Sequence, residues 1–180
     1  MSDFLRLIIR FVLFILVQVF VLNAIPALHY SINPYLYFLF ILWLPFSLSR
    51  FWVMVIAFLT GMTLDWFTHT PGLHATPCVL IAYLRPFLVN ILIPQQGAEM
   101  NYKEPSIKSL GLAPYATYIV LLTVIHHGFL FTLEAYQFGN IWYLIIKTLA
   151  STLISLILIL LVEMLFPRKQ KFITNNPLCD

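Results

Sequence analysis

The stretch that decides the fold is residues 141–166, which read IWYLIIKTLASTLISLILILLVEMLF. A helix needs about 20 predominantly apolar residues to cross the hydrocarbon core of a bilayer. This stretch is long enough, and its only charged residues are Lys147 and Glu163. Five other apolar stretches come near the same length, at about 5–25, 35–48, 51–67, 75–93 and 113–134. The sequence therefore predicts an all-α, polytopic membrane protein with six transmembrane helices in one bundle.

The second and third predicted spans are the least regular part of this pattern. Both are short, and little more than Ser49-Arg50 separates them. This spacing indicates a tight helical hairpin whose two spans are partly shallow, and it leaves open whether both cross the bilayer fully.

Composition favours the same class of protein. Of the 180 residues, 61% are hydrophobic and 9% are charged, whereas a soluble domain carries about 25% charged residues. A soluble fold has too little interior to bury this much apolar surface. The basic residues are scattered singly or confined to the C-terminal tail, so the sequence has no basic stripe of the kind that binds nucleic acid.

The distribution of Lys and Arg predicts the orientation of a single membrane domain, residues 1–180. With the N-terminus in the cytoplasm, a polar loop at 94–112 and a tail at 167–180 also lie inside. Eight of the ten Lys and Arg residues then fall at or near the cytoplasmic side: Arg6, Arg10, Arg50, Lys103, Lys108, Arg168, Lys169 and Lys171. The three predicted outer loops contain no Lys or Arg. By the positive-inside rule, both termini are cytoplasmic.

One face of the third predicted span combines small residues with a carboxylate. Ala57, Gly61 and Asp65 are spaced four residues apart and share this face. Small residues allow another helix to approach closely, so the face is a candidate for contact with a partner or for internal packing. A third interpretation is that Asp65 is simply solvated near the outer interface.

Arg85 lies in the middle of the fourth predicted span, directly before Pro86. A bare charge there costs about 2.5–3.5 kcal/mol on insertion scales, so it requires a partner. Proline frees the carbonyl four residues earlier, at Ala82, which the guanidinium can satisfy. We expect Arg85 to be buried against protein and to stabilise the fold.

A possible outer polar cluster lies on the last two spans. Lys147, Ser151 and Ser155 share one face of the sixth span, while His127 and Glu134 lie on the fifth. Because the connecting loop is short, Glu134 and Lys147 can pair. The cluster has two interpretations, a polar pocket open to the outside or ordinary interhelical hydrogen bonding worth about 0.6 kcal/mol per bond. We favour the second.

The sequence contains no catalytic signature of the HExxH, GxSxG, CxxC or P-loop type. His126 and His127 make a poor metal pair, because adjacent side chains on a helix point about 100° apart. We therefore predict a protein that is not an enzyme, with no catalytic residue, no metal and no cofactor.

Three segments resemble the rod shape-determining protein MreD family of bacteria. They are Gly61-Met-Thr-Leu-Asp65-Trp-Phe67, then Pro71-Gly72-Leu73-His74-Ala75, then Ala82-Tyr83-Leu84-Arg85-Pro86. They match a G-x-x-x-D helix end, a short loop with a Gly-Leu step and a following apolar helix. Residues 10–23 also resemble the family's first helix, and chain length and hydropathy agree across nearly the whole sequence.

This resemblance implies a non-enzymatic scaffold in the inner membrane, within the complex that elongates the cell wall. It implies MreC as a partner, together with other members of that complex such as MreB and the peptidoglycan synthases. It also implies a six-helix bundle similar to the substrate-binding subunits of energy-coupling-factor transporters. No catalytic residue carries over; Gly61, Asp65, Gly72 and Arg85 carry over as a structural or partner-contact region. The alternative function is a substrate-binding membrane subunit of a vitamin transporter.

Overall fold

A computed structural model describes residues 3–24, 33–92, 103–135 and 141–166. Within these ranges the regular structure is helical throughout. The helices are α1 (Asp3–Leu16), which continues into a π-helical segment (Val17–Leu22), α2 (Leu39–Leu42), α3 (Arg50–Thr68), α4 (Ala75–Leu92), α5 (Ile107–Leu110), α6 (Leu112–Glu134) and α7 (Ile141–Leu165). The predicted tail at 167–180, with Arg168, Lys169 and Lys171, lies outside the described residues, as do much of the 94–112 loop and most of two predicted outer loops.

Within the described ranges, five helices are long and apolar enough to cross a membrane: Phe4–Leu22, Arg50–Thr68, Ala75–Leu92, Leu112–Glu134 and Ile141–Leu165. The prediction of a polytopic, α-helical membrane protein is confirmed at this level. Among these helices, α4 packs against both α3 and α6, and α6 packs against α7.

The predicted second span, 35–48, does not form a membrane-crossing helix. Only α2, four residues long, is helical there, and non-helical backbone precedes and follows it. The physical reason lies in two prolines, because Pro34 and Pro45 bracket the apolar run. Proline lacks an N–H and its ring clashes with the preceding turn, so it kinks or ends a helix. Here the helix ends at Leu42, before Pro45.

Residues 33–48, which we call the core segment, pass through the interior of the bundle with their central part buried. Its central residues are between 0% and 5% exposed: Leu36, Tyr37, Phe38, Leu39, Phe40, Ile41, Leu42, Trp43 and Leu44. Aliphatic and aromatic side chains of α1, α3, α4, α6 and α7 pack against them. Non-helical backbone is tolerated at membrane depth only where protein covers it, and the core segment meets that requirement.

The core segment runs along α7 in the same direction. Near its start, the backbone N–H of Tyr35 donates to Ser155 Oγ at 3.0 Å; farther on, Trp43 Nε1 donates to Glu163 Oε1 at 3.0 Å. The eight residues from Ser155 to Glu163 span about 12 Å of helix. The N–H of Phe46 then donates to the carbonyl of Lys103. The segment thus reaches the end of the bundle that carries Arg10, Arg50 and Lys103, which we call the basic end.

Candidate functional site

Asp65 caps helix α4 from across the α3–α4 turn. Its Oδ1 accepts the N–H of His74 at 2.9 Å and lies 2.8 Å from His74 Nδ1, while Oδ2 accepts the N–H groups of Gly72 at 3.0 Å and Ala75 at 3.1 Å. The first N–H groups of a helix have no intrahelical acceptor, and a carboxylate placed there also interacts favourably with the helix dipole. Asp65 is 3% exposed, so the interpretation of a solvated interfacial carboxylate is wrong.

The small-residue face of α3 is occupied by α4 of the same chain. A Cβ placed on Gly61 would lie 2.3 Å from the Cα of Ala75 and 2.6 Å from its N, which shows how closely the two helices approach. Ala57 is fully buried on the same face. The expectation that another helix packs closely here is confirmed, but that helix is internal. Within this chain the face is occupied by α4, so Ala57, Gly61 and Asp65 have the structural role that the sequence analysis gave as one of the interpretations.

Gly72 completes the turn between the two helices. Its φ of +84° lies in the left-handed region that glycine adopts without steric cost. This conformation accompanies the hydrogen bond from its N–H to the Asp65 carboxylate. The Gly-Leu step of the motif thus shapes the loop around the cap.

Arg85 joins α4 to the core segment and to α6. It is 5% exposed, as its mid-span position predicts. Its Nε donates to Tyr118 Oη at 3.2 Å and its Nη2 donates to the carbonyl of Leu44, while Tyr118 Oη donates to the carbonyl of Leu42 at 3.0 Å. The acceptor is thus Leu44 rather than the expected Ala82. The carbonyl of Leu42 ends the short α2 and that of Leu44 lies just beyond it, so both need donors from outside the helix.

Gln18, which the sequence analysis did not single out, fixes the start of the core segment. It is fully buried in the π-helical segment. Its Oε1 accepts the N–H of Leu36 at 2.8 Å, and its Nε2 donates to the carbonyl of Pro34 at 3.1 Å and to Asn23 Oδ1 at 2.9 Å. The signal in the sequence is a lone amide in an otherwise apolar run, which in a membrane needs a hydrogen-bond partner.

The predicted pairing of Glu134 and Lys147 is present. Lys147 Nζ donates to Glu134 Oε1 at 2.8 Å, and the ammonium also lies 4.8 Å from the centre of the Phe131 ring. The Lys147 side chain is 9% exposed and that of Glu134 is 37% exposed. The cation is therefore neutralised where α6 ends and α7 begins.

The two serines of the predicted outer cluster bind the backbone of the core segment, and His127 binds one of these serines. Ser151 Oγ accepts the N–H of Asn33 at 3.1 Å, and Ser155 Oγ accepts the N–H of Tyr35 at 3.0 Å. His127 Nδ1 lies 2.9 Å from the carbonyl of Thr123, which can only accept, so this nitrogen carries the proton. In the neutral ring, Nε2 then accepts from Ser155 Oγ at 3.1 Å. The interpretation of ordinary internal hydrogen bonding fits this geometry, with the core segment as the main recipient.

A second group of histidines lies around Tyr37. Tyr37 Oη is 3.0 Å from His126 Nε2, and the His126 ring stacks on Phe38 at 4.4 Å. Two ring nitrogens, Nε2 of His74 and Nδ1 of His126, are buried without a hydrogen-bond partner among the described residues. Within the same residues, no group of three His, Cys, Asp or Glu is placed to hold a metal ion.

A cavity of about 170 Å³ opens at the basic end, between the core segment, α3 and α4. Arg50, Arg85 and Asn90 supply its polar lining, and the rest of the lining is mainly apolar. The cavity is separate from the Ser151–Ser155 face of α7, and the sequence analysis did not predict it.

Comparison of the chain with family models and curated proteins, and of its structure with solved structures, gives no match. The geometry of the described residues and the sequence resemblance are therefore the basis for a functional hypothesis.

Proposed function

We propose that this chain is a non-enzymatic membrane scaffold of the bacterial cell-wall elongation complex, as its resemblance to the MreD family implies. The observation that carries the proposal is that the residues of the resemblance act together. Gly61 permits the close approach of α3 and α4, Asp65 caps α4, Gly72 shapes the turn and Arg85 anchors α4 to the core. This mutual dependence supports a family-type motif over a chance match of isolated residues.

The same geometry supports partner contact on the outer helix surfaces rather than on the small-residue face of α3. Ser151 and Ser155 of α7 bind this chain's own backbone, and the small-residue face of α3 is filled by α4. Large apolar side chains remain exposed on α1, on the π-helical segment that follows it and on α7: Phe4, Ile9, Phe20, Ile146, Leu149 and Leu153. Lipid provides no hydrophobic drive for helix pairing, so a partner must pack closely on such a surface. MreC is the proposed partner, with MreB and the peptidoglycan synthases in the same complex.

The proposed location is the inner membrane, with both termini in the cytoplasm. Five long helices alone would put the termini on opposite sides, so this orientation requires the core segment to carry the chain back to the basic end between α1 and α3. Its support is the Lys and Arg distribution together with the grouping of Arg10, Arg50 and Lys103 at one end of the bundle. We expect a single cysteine replacing Asn140 to react with a membrane-impermeant maleimide in intact cells, in a background without Cys78 and Cys179. A cysteine replacing Lys171 is expected to react only after the cells are lysed. Reaction of the Lys171 variant in intact cells would contradict this orientation.

Affinity purification in mild detergent, combined with depletion in a rod-shaped host, tests the function. We expect MreC to co-purify with the chain and depleted cells to become round, because the elongation complex loses its scaffold. An unrelated multi-pass membrane protein with the same tag serves as the control for membrane proteins that co-purify non-specifically. Recovery of an ATPase pair and a bound vitamin would instead assign the chain to a transporter, and unchanged cell shape would reject the scaffold role.

A further inference from the structure

The cavity at the basic end carries positive charge from two side chains that are distant in sequence. Arg50 is the first residue of α3, and its guanidinium lies 5.0 Å from the centre of the Phe87 ring. Arg85 reaches the same cavity from α4 and is 5% exposed. Among the described residues that line the cavity, none is acidic. Two like charges therefore face one space without a carboxylate between them.

The backbone adds to this positive potential. The N-terminus of a helix carries a partial positive charge of about +0.5 elementary charge. At α3 the N-cap residue, Ser49, makes no side-chain hydrogen bond to the first turn. A cationic side chain at a helix N-terminus is electrostatically unfavourable unless an anion lies nearby. The arrangement of Arg50, Arg85 and this helix end thus favours binding of an anion.

The remaining lining indicates what kind of anion fits. Phe46, Leu48, Val53 and Val89 form apolar walls, and the exposed rings of Phe51 and Trp52 lie in the same first turn of α3 as Arg50. Aromatic residues are enriched at the level of lipid headgroups, and basic pockets between transmembrane helices bind anionic headgroups. A free inorganic anion would gain nothing from the apolar walls, whereas a lipid would place its glycerol and first methylenes against them.

We propose that this cavity binds the phosphate of an anionic phospholipid, with Arg50 and Arg85 as its ligands. The planar guanidinium can donate two parallel hydrogen bonds to phosphate oxygens. Arg85 directs Nε and Nη2 to Tyr118 and Leu44, which fixes its orientation toward the cavity. Arg50 is exposed and can adjust to the headgroup. The site is independent of the surfaces assigned to partner contact.

Native mass spectrometry of the full, delipidated chain in detergent tests this site by titration with dioleoyl phosphatidylglycerol. We expect saturable binding of one lipid to the wild type. In Arg50→Gln the affinity is expected to fall about tenfold, the factor for loss of one charge-assisted hydrogen bond. Arg50→Lys keeps the positive charge, so its affinity for the lipid is expected to fall less than that of Arg50→Gln. Lys108→Gln removes an exposed charge that does not line the cavity and is expected to bind as the wild type does.

Three results would overturn the proposal. Equal lipid affinity of the wild type and Arg50→Gln, when both proteins unfold at the same temperature without lipid, would show that the phospholipid does not bind in this cavity. Equal binding of dioleoyl phosphatidylcholine would show that net negative charge is not recognised. Displacement of the lipid by equimolar inorganic phosphate would assign the site to free phosphate instead of a headgroup.

Discussion

Replacement of Gly61 with alanine is expected to destabilise the α3–α4 hairpin by about 3 kcal/mol or more, at or beyond the upper range for overpacking. The added Cβ would lie 2.3 Å from the Cα of Ala75, 2.6 Å from its N and 2.8 Å from the carbonyl carbon of His74. All three are backbone atoms, so no side-chain rotation can relieve the contact and α4 itself must move. That movement would also pull the N–H groups of His74 and Ala75 away from Asp65.

Gly128→Ala is the matched control for this prediction. Gly128 lies inside α6, and a Cβ placed there meets no atom within 4 Å outside its immediate helix neighbourhood. Alanine is favoured over glycine in a helix interior by up to about 1 kcal/mol, so this variant is expected to be at least as stable as the wild type. Thermal unfolding and monodisperse yield of the purified chain measure both effects. Equal stability of the two variants would contradict the close approach of α3 and α4.

The stability of Gly61→Ala also distinguishes whether the small-residue face of α3 packs inside the chain or against a partner. The spacing of Ala57, Gly61 and Asp65 predicts a close helix contact, but no periodicity states which helix makes it. In the structure the neighbour is α4, joined to α3 by a short turn. Loss of stability in the isolated chain, with no partner present, is therefore the expected signature of Gly61→Ala.

Features that depend on local chemistry could be predicted from the sequence. Five membrane-crossing helices follow from the length of their apolar runs. The burial of Arg85 follows from the cost of a bare charge in hydrocarbon. The pairing of Glu134 with Lys147 follows from the short connection between α6 and α7. Each of these inferences needs only neighbouring residues and the properties of the bilayer.

The core segment could not be predicted in the same way. A continuous apolar run such as 35–48 has no periodicity that separates a buried helix from a buried irregular segment. Its backbone N–H groups find acceptors far away in sequence, since Asn33 donates to Ser151 and Tyr35 donates to Ser155. Only the three-dimensional arrangement shows that Ser151 and Ser155 of α7 accept hydrogen bonds from this backbone. For the same reason, the sequence left an outer pocket and internal hydrogen bonding as alternatives.

Asp65→Asn is expected to destabilise the chain by roughly 2–4 kcal/mol, the sum of a lost buried hydrogen bond and a lost charge at a helix N-terminus. The substitution keeps the shape of the side chain but replaces one acceptor oxygen with an NH₂ group. If the NH₂ takes the place of Oδ2, it opposes the N–H groups of Gly72 and Ala75. If it takes the place of Oδ1, it opposes the N–H of His74, even when the imidazole changes tautomer to accept from it.

Glu104→Gln makes the same chemical change in a different environment and provides the comparison. Glu104 pairs with Arg10 at 2.8 Å, and both side chains are more than a quarter exposed. Such a pair contributes about 0–1 kcal/mol, so this variant is expected to unfold close to the wild-type temperature. Thermal unfolding of the two variants under identical detergent conditions measures the difference. If Asp65→Asn were as stable as Glu104→Gln, the carboxylate would not be needed as a cap. Its burial beneath three backbone N–H groups would then require a role outside the stability of this chain.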